Sequence, residues 1–346
     1  MSNANGATRH RNLWIVLLTV GLLILPFVLK SHNVSEVNEI LTFVIAIIGL
    51  NILTGYNGQI SLGHGAFYAV GAYTTAILVS RYGVHYALTI PVAAVVCAAA
   101  GILVGFPALR LKGHYLALAT YALALALPQL LKFKKIESWT GGVQGLLFDK
   151  PAAPFDWTVF GVPLDADRWL YFTNLAVAVI VLLLTRNLLN GRVGRALVAV
   201  RDHPIAASTM GINLPLYKTL TFGVSAAFTG VAGALGAMTT AFVAPDSFTA
   251  FLSISFLVGA VVGGIATIPG AVFGAIFIHL SPKLAADISV SASAVIYGTL
   301  LLVMVYLMPG GVAGTIQDAW RRRSTTHAAA PRVSGRLQPQ RGGMEQ

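Results

Sequence analysis

Residues 51–73 read NILTGYNGQISLGHGAFYAVGAY, a glycine-rich polar segment that stands between apolar runs long enough to enter a lipid bilayer. Irregular backbone persists at membrane depth only where protein or a watery cavity surrounds it, because every unsatisfied amide or carbonyl group is costly in lipid. We therefore expect this segment to line a path through the membrane.

The composition of the chain is that of a membrane protein. Of its 346 residues, 56% are hydrophobic and 10% are charged, and the mean hydropathy is +0.76. Soluble domains carry roughly 25% charged residues. Nine apolar runs approach the roughly 20 residues that a membrane-spanning helix needs. They cover about 13–30, 40–54, 62–80, 87–106, 114–131, 169–185, 219–241, 251–280 and 292–308. The sequence therefore predicts an all-α, polytopic membrane protein.

The formal net charge of +11 fits membrane topology better than nucleic-acid binding. Basic residues cluster at the ends of spans and in the tails, as the positive-inside rule requires. With the N-terminus in the cytoplasm, fifteen basic residues fall on the inner side and eight on the outer side. Arg9 and Arg11 precede an apolar stretch that lacks a small-residue cleavage site, which predicts an uncleaved first span. The single cysteine, Cys97, cannot form an intrachain disulfide.

Two cytoplasmic tails require an even number of membrane crossings. The run 251–280 is too long for one untilted span, and Pro269 and Gly270 would break a helix there. Splitting it into two short pieces gives about ten crossings, and broken helices are typical of transport pathways. The predicted domains are a cytoplasmic N-terminal tail at 1–12, a transmembrane domain at 13–308 and a basic, disordered cytoplasmic tail at 309–346.

A basic cytoplasmic loop at about 192–218 contains a predicted short helix. Asp202 can cap the start of this helix, Pro204 suits its first turn, and Gly211 can take the left-handed conformation at its end. Small alanines at the centre suit a close-packed contact with another protein. A solvated connector is the alternative interpretation.

Regularly spaced glycines elsewhere predict close helix packing rather than ligand contact, because small residues at such spacing let helices approach one another. These glycines are Gly230, Gly233, Gly236, Gly259, Gly263, Gly270 and Gly274.

Several blocks of the chain resemble LivM-type permease subunits of bacterial ATP-driven branched-chain amino acid importers, from about residue 40 to residue 315. Within the opening segment the matching positions are Asn51, Gly55, Tyr56, Gly58, Gln59, Ser61, Gly63, His64, Ala66 and Phe67. Residues 109–131 are similar to the family's R-G-x-Y-L-A-x-x-T stretch, and 140–146 to its T-G-G-x-x-G-L stretch. The loop at 192–218 resembles the E-A-A-x-x-x-G element by which ABC importer permeases engage their ATPase, although Ile205 occupies the glutamate position.

The resemblance implies a multi-pass permease subunit in a bacterial inner membrane, which works by alternating access and is not an enzyme. Its implied partners are a homologous second permease, two cytoplasmic ATPases and a periplasmic substrate-binding protein. The ATPases would bind the ATP, so this chain is expected to carry no cofactor. The implied substrates are branched-chain or related hydrophobic amino acids, and urea, amides and aromatic acids are alternatives within the superfamily.

Two sets of candidate site residues follow from the segment and the loop. The path must satisfy a polar ligand with dipoles and hydrogen-bonding groups. The pathway set is Asn51, Thr54, Asn57, Gln59, Ser61 and His64. The ATPase-coupling set is Asp202, Pro204, Ala206, Ala207 and Gly211.

Missing motifs disfavour the other functional classes. The chain has no G-x-x-x-x-G-K-[ST] sequence, so its energy must come from another protein. Its spans hold few ionisable residues, which disfavours a proton-coupled secondary transporter but leaves sodium coupling through backbone carbonyls open. Its histidines lack a metal-binding spacing, and no nucleophile constellation for an intramembrane enzyme is present. The sequence thus predicts no catalytic and no metal site.

Overall fold

A computed structural model describes residues 20–111, 113–153, 158–159 and 162–326. Four parts of the sequence predictions lie outside the described residues. These are the N-terminal tail at 1–12, the first part of the apolar run that begins at 13, Lys112 in the family-like stretch at 109–131, and the last part of the C-terminal tail, residues 327–346.

The described chain is built almost entirely from helices. Helix α1 includes residues 20–28. The remaining helices are α2 (Ser31–Asn51), α3 (His64–Tyr82), α4 (Tyr86–Ala108), α5 (His114–Leu131), α6 (Glu137–Thr140), α7 (Ala166–Asn190), α8 (Arg192–Asp202), α9 (Pro204–Thr209), α10 (Leu214–Thr240), α11 (Ala250–Gly263), α12 (Ile268–Ile288), α13 (Ser293–Leu307) and α14 (Gly311–Thr326). A π-helical turn, Ile52–Tyr56, extends α2, and a short 3-10 turn, Pro245–Ser247, precedes α11.

Two small antiparallel strand pairs accompany the helices in the part of the chain that the structure describes. Leu146–Leu147 pairs with Phe242–Val243, and Thr158–Val159 pairs with Val162–Pro163. The glycines of the 140–146 stretch have positive φ angles of 74°, 59° and 77° at Gly141, Gly142 and Gly145, so they make the turns that lead into the first strand.

Eight helical segments in the described part of the chain are long and apolar enough to cross a membrane by length and composition. The prediction of a largely helical, multi-pass membrane protein is therefore confirmed. The total of ten crossings and the side of the membrane on which each tail lies remain predictions.

Helix α10 is the centre of the bundle and packs against α2, α3 and α4. Its glycines allow this approach: a side chain at Gly233 would collide with the carbonyl of Tyr68, and one at Gly71 would collide with the carbonyl of Gly230. Helices α11 and α12 meet in the same way where Gly259 faces Gly274. The prediction that these glycines serve helix packing is confirmed.

The long apolar run at 251–280 is broken, as predicted, but the break lies earlier than expected. Helix α11 ends at Gly263 and α12 begins at Ile268, so Pro269 stands in the first turn of α12. Proline is accepted there because a first-turn N–H has no partner within its helix. The expectation of two short pieces was wrong for α12, which has 21 residues, while α11 has 14.

The tail expected to be disordered from residue 309 is helical over Gly311–Thr326, so that prediction was wrong for these residues. Packing is the physical reason. A Cβ on Gly311 would meet the backbone of Gly264 in the α11–α12 break, and Ala313 is buried. These contacts fix the first turn of α14 against the bundle.

Candidate functional site

The glycine-rich segment leaves regular helix between α2 and α3, as its sequence predicts. The π-helical turn ends at Tyr56, residues 57–63 are non-helical, and α3 begins at His64. We call residues 51–64 the signature segment. It lies against α5, α10, the α11–α12 break and the end of α8, and each of these elements supplies hydrogen-bonding partners to it.

Asn51 holds the signature segment to the broken helix. Its Nδ2 donates to the carbonyl oxygen of Thr267 at 2.8 Å, and its Oδ1 accepts from the backbone N–H of Ala266 at 2.7 Å. Ala266 has a φ of 60°, an unusual value for a residue with a Cβ. One buried amide thus satisfies two backbone groups that the break between α11 and α12 frees from helical hydrogen bonding.

The non-helical part of the signature segment is closed by its own hydrogen bonds. Thr54 Oγ1 donates to the carbonyl oxygen of Gln59 at 3.1 Å, and the Gln59 N–H donates to the carbonyl of Leu53 at 3.1 Å. The Gln59 side chain donates through Nε2 to the Lys218 carbonyl at 3.2 Å, which ties the segment to the start of α10. The N–H of Leu62 donates to Oγ1 of Thr120 on α5 at 2.9 Å.

His64 lies in a buried hydrogen-bond chain that sets its tautomer. Ser225 Oγ donates its only proton to the Gly49 carbonyl at 2.6 Å, so it must accept from Nε2 of His64 at 2.7 Å. Nδ1 is then the acceptor, and Ser61 Oγ donates to it at 3.1 Å. The resulting imidazole is neutral and joins α2, α3 and α10.

Asn57 differs from the other polar residues of the signature segment. Its side chain is only 2% exposed, yet neither its Oδ1 nor its Nδ2 has a hydrogen-bond partner among the described residues. Buried amides are nearly always paired, so this group needs a polar partner that the described residues do not supply.

The geometry gives the predicted pathway residues a clear structural role. Five of the six bond to this chain's own groups: Asn51, Thr54, Gln59, Ser61 and His64. These bonds stabilise the irregular backbone that the sequence places at membrane depth. That the segment lines the substrate path remains a prediction.

The loop at 192–218, which the sequence predicts to be cytoplasmic, forms the predicted short helix with one change. Pro204 is the first residue of α9, and Gly211 beyond its end has a φ of 83°. The prediction that Asp202 caps this helix was wrong, because Asp202 is the last residue of α8 and its Oδ1 accepts from Nε of Arg201 at 2.7 Å. That hydrogen bond lowers the pKa of the Asp202 carboxyl. His203 stands at the cap position and makes no side-chain cap.

The other coupling residues divide between the two sides of α9. Ala207 is buried and its carbonyl accepts from the N–H of Ile212 at 3.1 Å, whereas Ala206 is exposed. Ile205 is 81% exposed and Met210 is 84% exposed. Helix α9 thus rests on the bundle by one face and presents an apolar surface outward.

Arg201 connects α8 and α9 to the signature segment, and the sequence predictions missed it. Its Nη1 donates to the carbonyl oxygen of Gly55 at 2.7 Å. Its stem packs against Gly58, where a Cβ would lie 2.8 Å from Cγ of Arg201. A cation at the carbonyl end of a helix is favourable. The available signal was a basic residue beside the predicted short helix, but sequence does not reveal a partner 146 positions away.

A cavity of about 520 Å³ lies beside these contacts. It is bounded by the signature segment at 58–60, the turn between α4 and α5, α9 and the start of α10. We call this side of the bundle, which carries residues 55–60, α8 and α9, the coupling end.

The opposite side, which we call the far end, carries an ionic cluster that the sequence predictions also missed. Lys283 Nζ on α12 lies 2.9 Å from Oε1 of Glu36 on α2 and 3.1 Å from Nε2 of His279. Nδ1 of His279 lies 3.5 Å from Oε2 of Glu39. Among the described residues, no group of three metal-ligating side chains could hold a metal ion.

Comparisons with known proteins agree with this arrangement. A family model described as "Branched-chain amino acid transport system / permease component" matches residues 36–305. The chain is similar to the high-affinity branched-chain amino acid transport system permease protein LivM of Escherichia coli, with 33% identity over 322 residues that cover 88% of this chain and 76% of LivM. It is 27% identical to the corresponding permease protein BraD of Pseudomonas aeruginosa, over 79% of this chain and 92% of BraD.

The chain is also similar, over a shorter stretch, to a second permease protein of E. coli. The E. coli permease protein LivH is 33% identical over 125 residues, which cover 36% of this chain and 40% of LivH. No solved structure matches the chain.

Proposed function

Because the chain belongs to the permease component family of branched-chain amino acid transport systems, we propose that it is a transmembrane subunit of an ATP-driven importer of branched-chain or related hydrophobic amino acids. The observation that carries this proposal is the family match across residues 36–305, which includes both the signature segment and the α8–α9 loop. Like its relatives, which are named as permease proteins, the chain is a transporter subunit and not an enzyme.

The proposed complex contains a second, homologous permease, two cytoplasmic ATPases and a periplasmic substrate-binding protein in a bacterial inner membrane. The similarity to both LivM and LivH, two permease proteins of E. coli, supports a paired permease. The lack of a phosphate-binding loop in the sequence supports separate ATPases that bind the ATP. The exposed apolar residues of α9 give such an ATPase a surface to contact.

In the proposed mechanism, α9 moves with the ATPase and transmits that motion through Arg201. The hydrogen bond from Arg201 to the Gly55 carbonyl transfers a displacement of α8 to the π-helical turn. Asn51, one helical turn earlier, transfers it to the break between α11 and α12. Helix α8, the π-helical turn and the α11–α12 break would therefore move together as one rigid unit. Residues at the ends of the helices would act as hinges for this motion.

The proposed path runs past the signature segment between this subunit and its partner. When the path opens beside the segment, water or substrate would supply the hydrogen-bond partner that Asn57 lacks. The polar side chains of the segment would hold the backbone open at membrane depth, where only protein or water can satisfy it.

The directions in which α1 and α13 run support ten membrane crossings, with both tails at the coupling end. Helix α1 runs toward the far end, since Nε of Arg168 at the start of α7 donates to the Pro26 carbonyl at 3.0 Å. Helix α13 ends where α14 packs on Gly264, beside the coupling end. The ten crossings proposed are α1, α2, α3, α4, α5, α7, α10, α11, α12 and α13.

Single cysteines test this topology in a Cys97→Ala background. Val143→Cys and Val290→Cys, at far-end positions that are 64% and 81% exposed, should react with an impermeant maleimide in intact cells. Met210→Cys at the coupling end should react only after permeabilisation. Labelling of position 210 in intact cells would contradict the proposed orientation.

Uptake of labelled leucine tests the function itself. Proteoliposomes that contain this chain, its partner permease and the ATPases should import leucine only with ATP inside and binding protein outside. Import of urea, acetamide or benzoate in place of leucine would assign the chain to an alternative substrate class. Uptake driven by a sodium gradient without ATP would overturn the proposal in favour of an ion-coupled transporter.

A further inference from the structure

A second cavity, of about 230 Å³, lies at the far end between α2, α3, α10 and the start of α11. Phe43, Tyr68, Phe248 and Leu252 supply much of its apolar wall, and Glu39 is the one acidic residue among the described residues that line it. Sites for drug-sized ligands usually measure roughly 300–1,000 Å³, so this cavity suits one smaller molecule.

Glu39 brings a carboxyl group into the cavity, and none of the described residues donates a short hydrogen bond to it. Two carboxylates, Glu36 and Glu39, share one lysine, and Lys283 pairs with Glu36 at 2.9 Å. Lys283 also donates to Nε2 of His279 at 3.1 Å, so the neutral imidazole carries its proton on Nδ1 and points it at Glu39. Glu39 thus receives one long contact of 3.5 Å from a neutral donor among the described residues.

The position of Glu39 makes a carboxyl group without a short hydrogen bond unusual. It lies on α2 about 12 Å along the helix from Ser31, at a rise of about 1.5 Å per residue, and its side chain is 39% exposed. Ionisable side chains inside membrane-spanning helices are costly and usually face a partner or a watery cavity. A half-buried carboxylate in an aromatic and aliphatic cavity is suited to a ligand that joins a cationic group to an apolar body.

We propose that this far-end cavity binds the transported amino acid before translocation, with Glu39 accepting hydrogen bonds from its ammonium group and the apolar wall contacting its side chain. The inference rests on the proposed function and adds a binding step on the permease itself. The ammonium group of the ligand would donate to the Glu39 carboxylate the short hydrogen bonds that the described residues do not provide.

Binding of labelled leucine to the detergent-solubilised complex, without binding protein, tests this site. Leucine should displace the label at least about tenfold more effectively than 4-methylpentanoate, which lacks the ammonium group, because charge-assisted hydrogen bonds are the stronger class. Glu39→Gln should weaken leucine binding by a similar factor and remove the difference between the two competitors. Glu137→Gln, in a far-end segment away from the cavity, is the matched control and should bind as wild type.

A second variant covers the case in which Glu39→Gln does not fold. Ser247 is an exposed residue at the rim of the cavity, so Ser247→Trp should block entry without disturbing the core. Thr249→Trp, at an exposed position that does not line the cavity, is its control. Wild-type leucine binding in Ser247→Trp, or unchanged competitor discrimination in folded Glu39→Gln, would overturn the inference. A wild-type complex that fails to import leucine would instead contradict the proposed function.

Discussion

Replacing Asn51 with leucine should abolish uptake and lower the thermal stability of the protein. The substitution leaves the N–H of Ala266 and the carbonyl of Thr267 without the partners that Asn51 provides at 2.7 and 2.8 Å. Each buried unpaired group costs about 1–3 kcal/mol, a large share of the roughly 5–15 kcal/mol that stabilises a typical protein. Uptake of labelled leucine and thermal unfolding of the purified complex measure the two effects.

Two further variants distinguish the loss of the Asn51 hydrogen bonds from the change in side-chain shape as the cause of the expected effects. Asn51→Asp keeps the shape of the side chain and the acceptor for the Ala266 N–H, but it sets a buried carboxylate oxygen against the Thr267 carbonyl, so it should be at least as damaging as leucine. Asn190→Leu, at an exposed position at the end of α7, should leave both measurements unchanged. Normal unfolding and uptake in Asn51→Leu would mean that the α11–α12 break holds its conformation without this amide.

Replacing Arg201 with methionine should separate ATP hydrolysis from transport. Methionine retains much of the packing against Gly58 but cannot donate to the Gly55 carbonyl, which Nη1 of Arg201 reaches at 2.7 Å. The outward surface of α9 is unchanged, so the ATPases should still bind. We expect uptake to fall at least about tenfold, since a charged hydrogen bond contributes about 1.5–3 kcal/mol and 1.4 kcal/mol is a factor of ten.

The features that the sequence predicted correctly are those set by local pattern. Apolar runs of sufficient length correctly predicted helices long enough to span a membrane. Evenly spaced glycines such as Gly230 and Gly233 correctly predicted close contacts between helices. Pro204 and Gly211 marked the start and end of α9, because their backbone preferences act at the residue itself.

The features that the sequence predictions missed depend on contacts between distant positions. Asn51 is 216 positions from Thr267, and Arg201 is 146 positions from Gly55, so no local pattern connects them. Asp202 shows a related limit. Its side chain is able to cap a helix, but α8 continues through it and the adjacent arginine takes its carboxylate. Glu39 was overlooked because its importance arises from the pairing of Lys283 with Glu36.

In the proposed mechanism, the α8–α9 loop acts on the signature segment through Arg201. The most direct test is the number of leucine molecules imported per ATP hydrolysed in proteoliposomes that contain the whole complex. We expect Arg201→Met to hydrolyse ATP but to import at least about tenfold less leucine per ATP, whereas Arg195→Met, at an exposed position on the same helix, should keep the wild-type ratio. A wild-type ratio in Arg201→Met would contradict the proposed transmission of motion through Arg201.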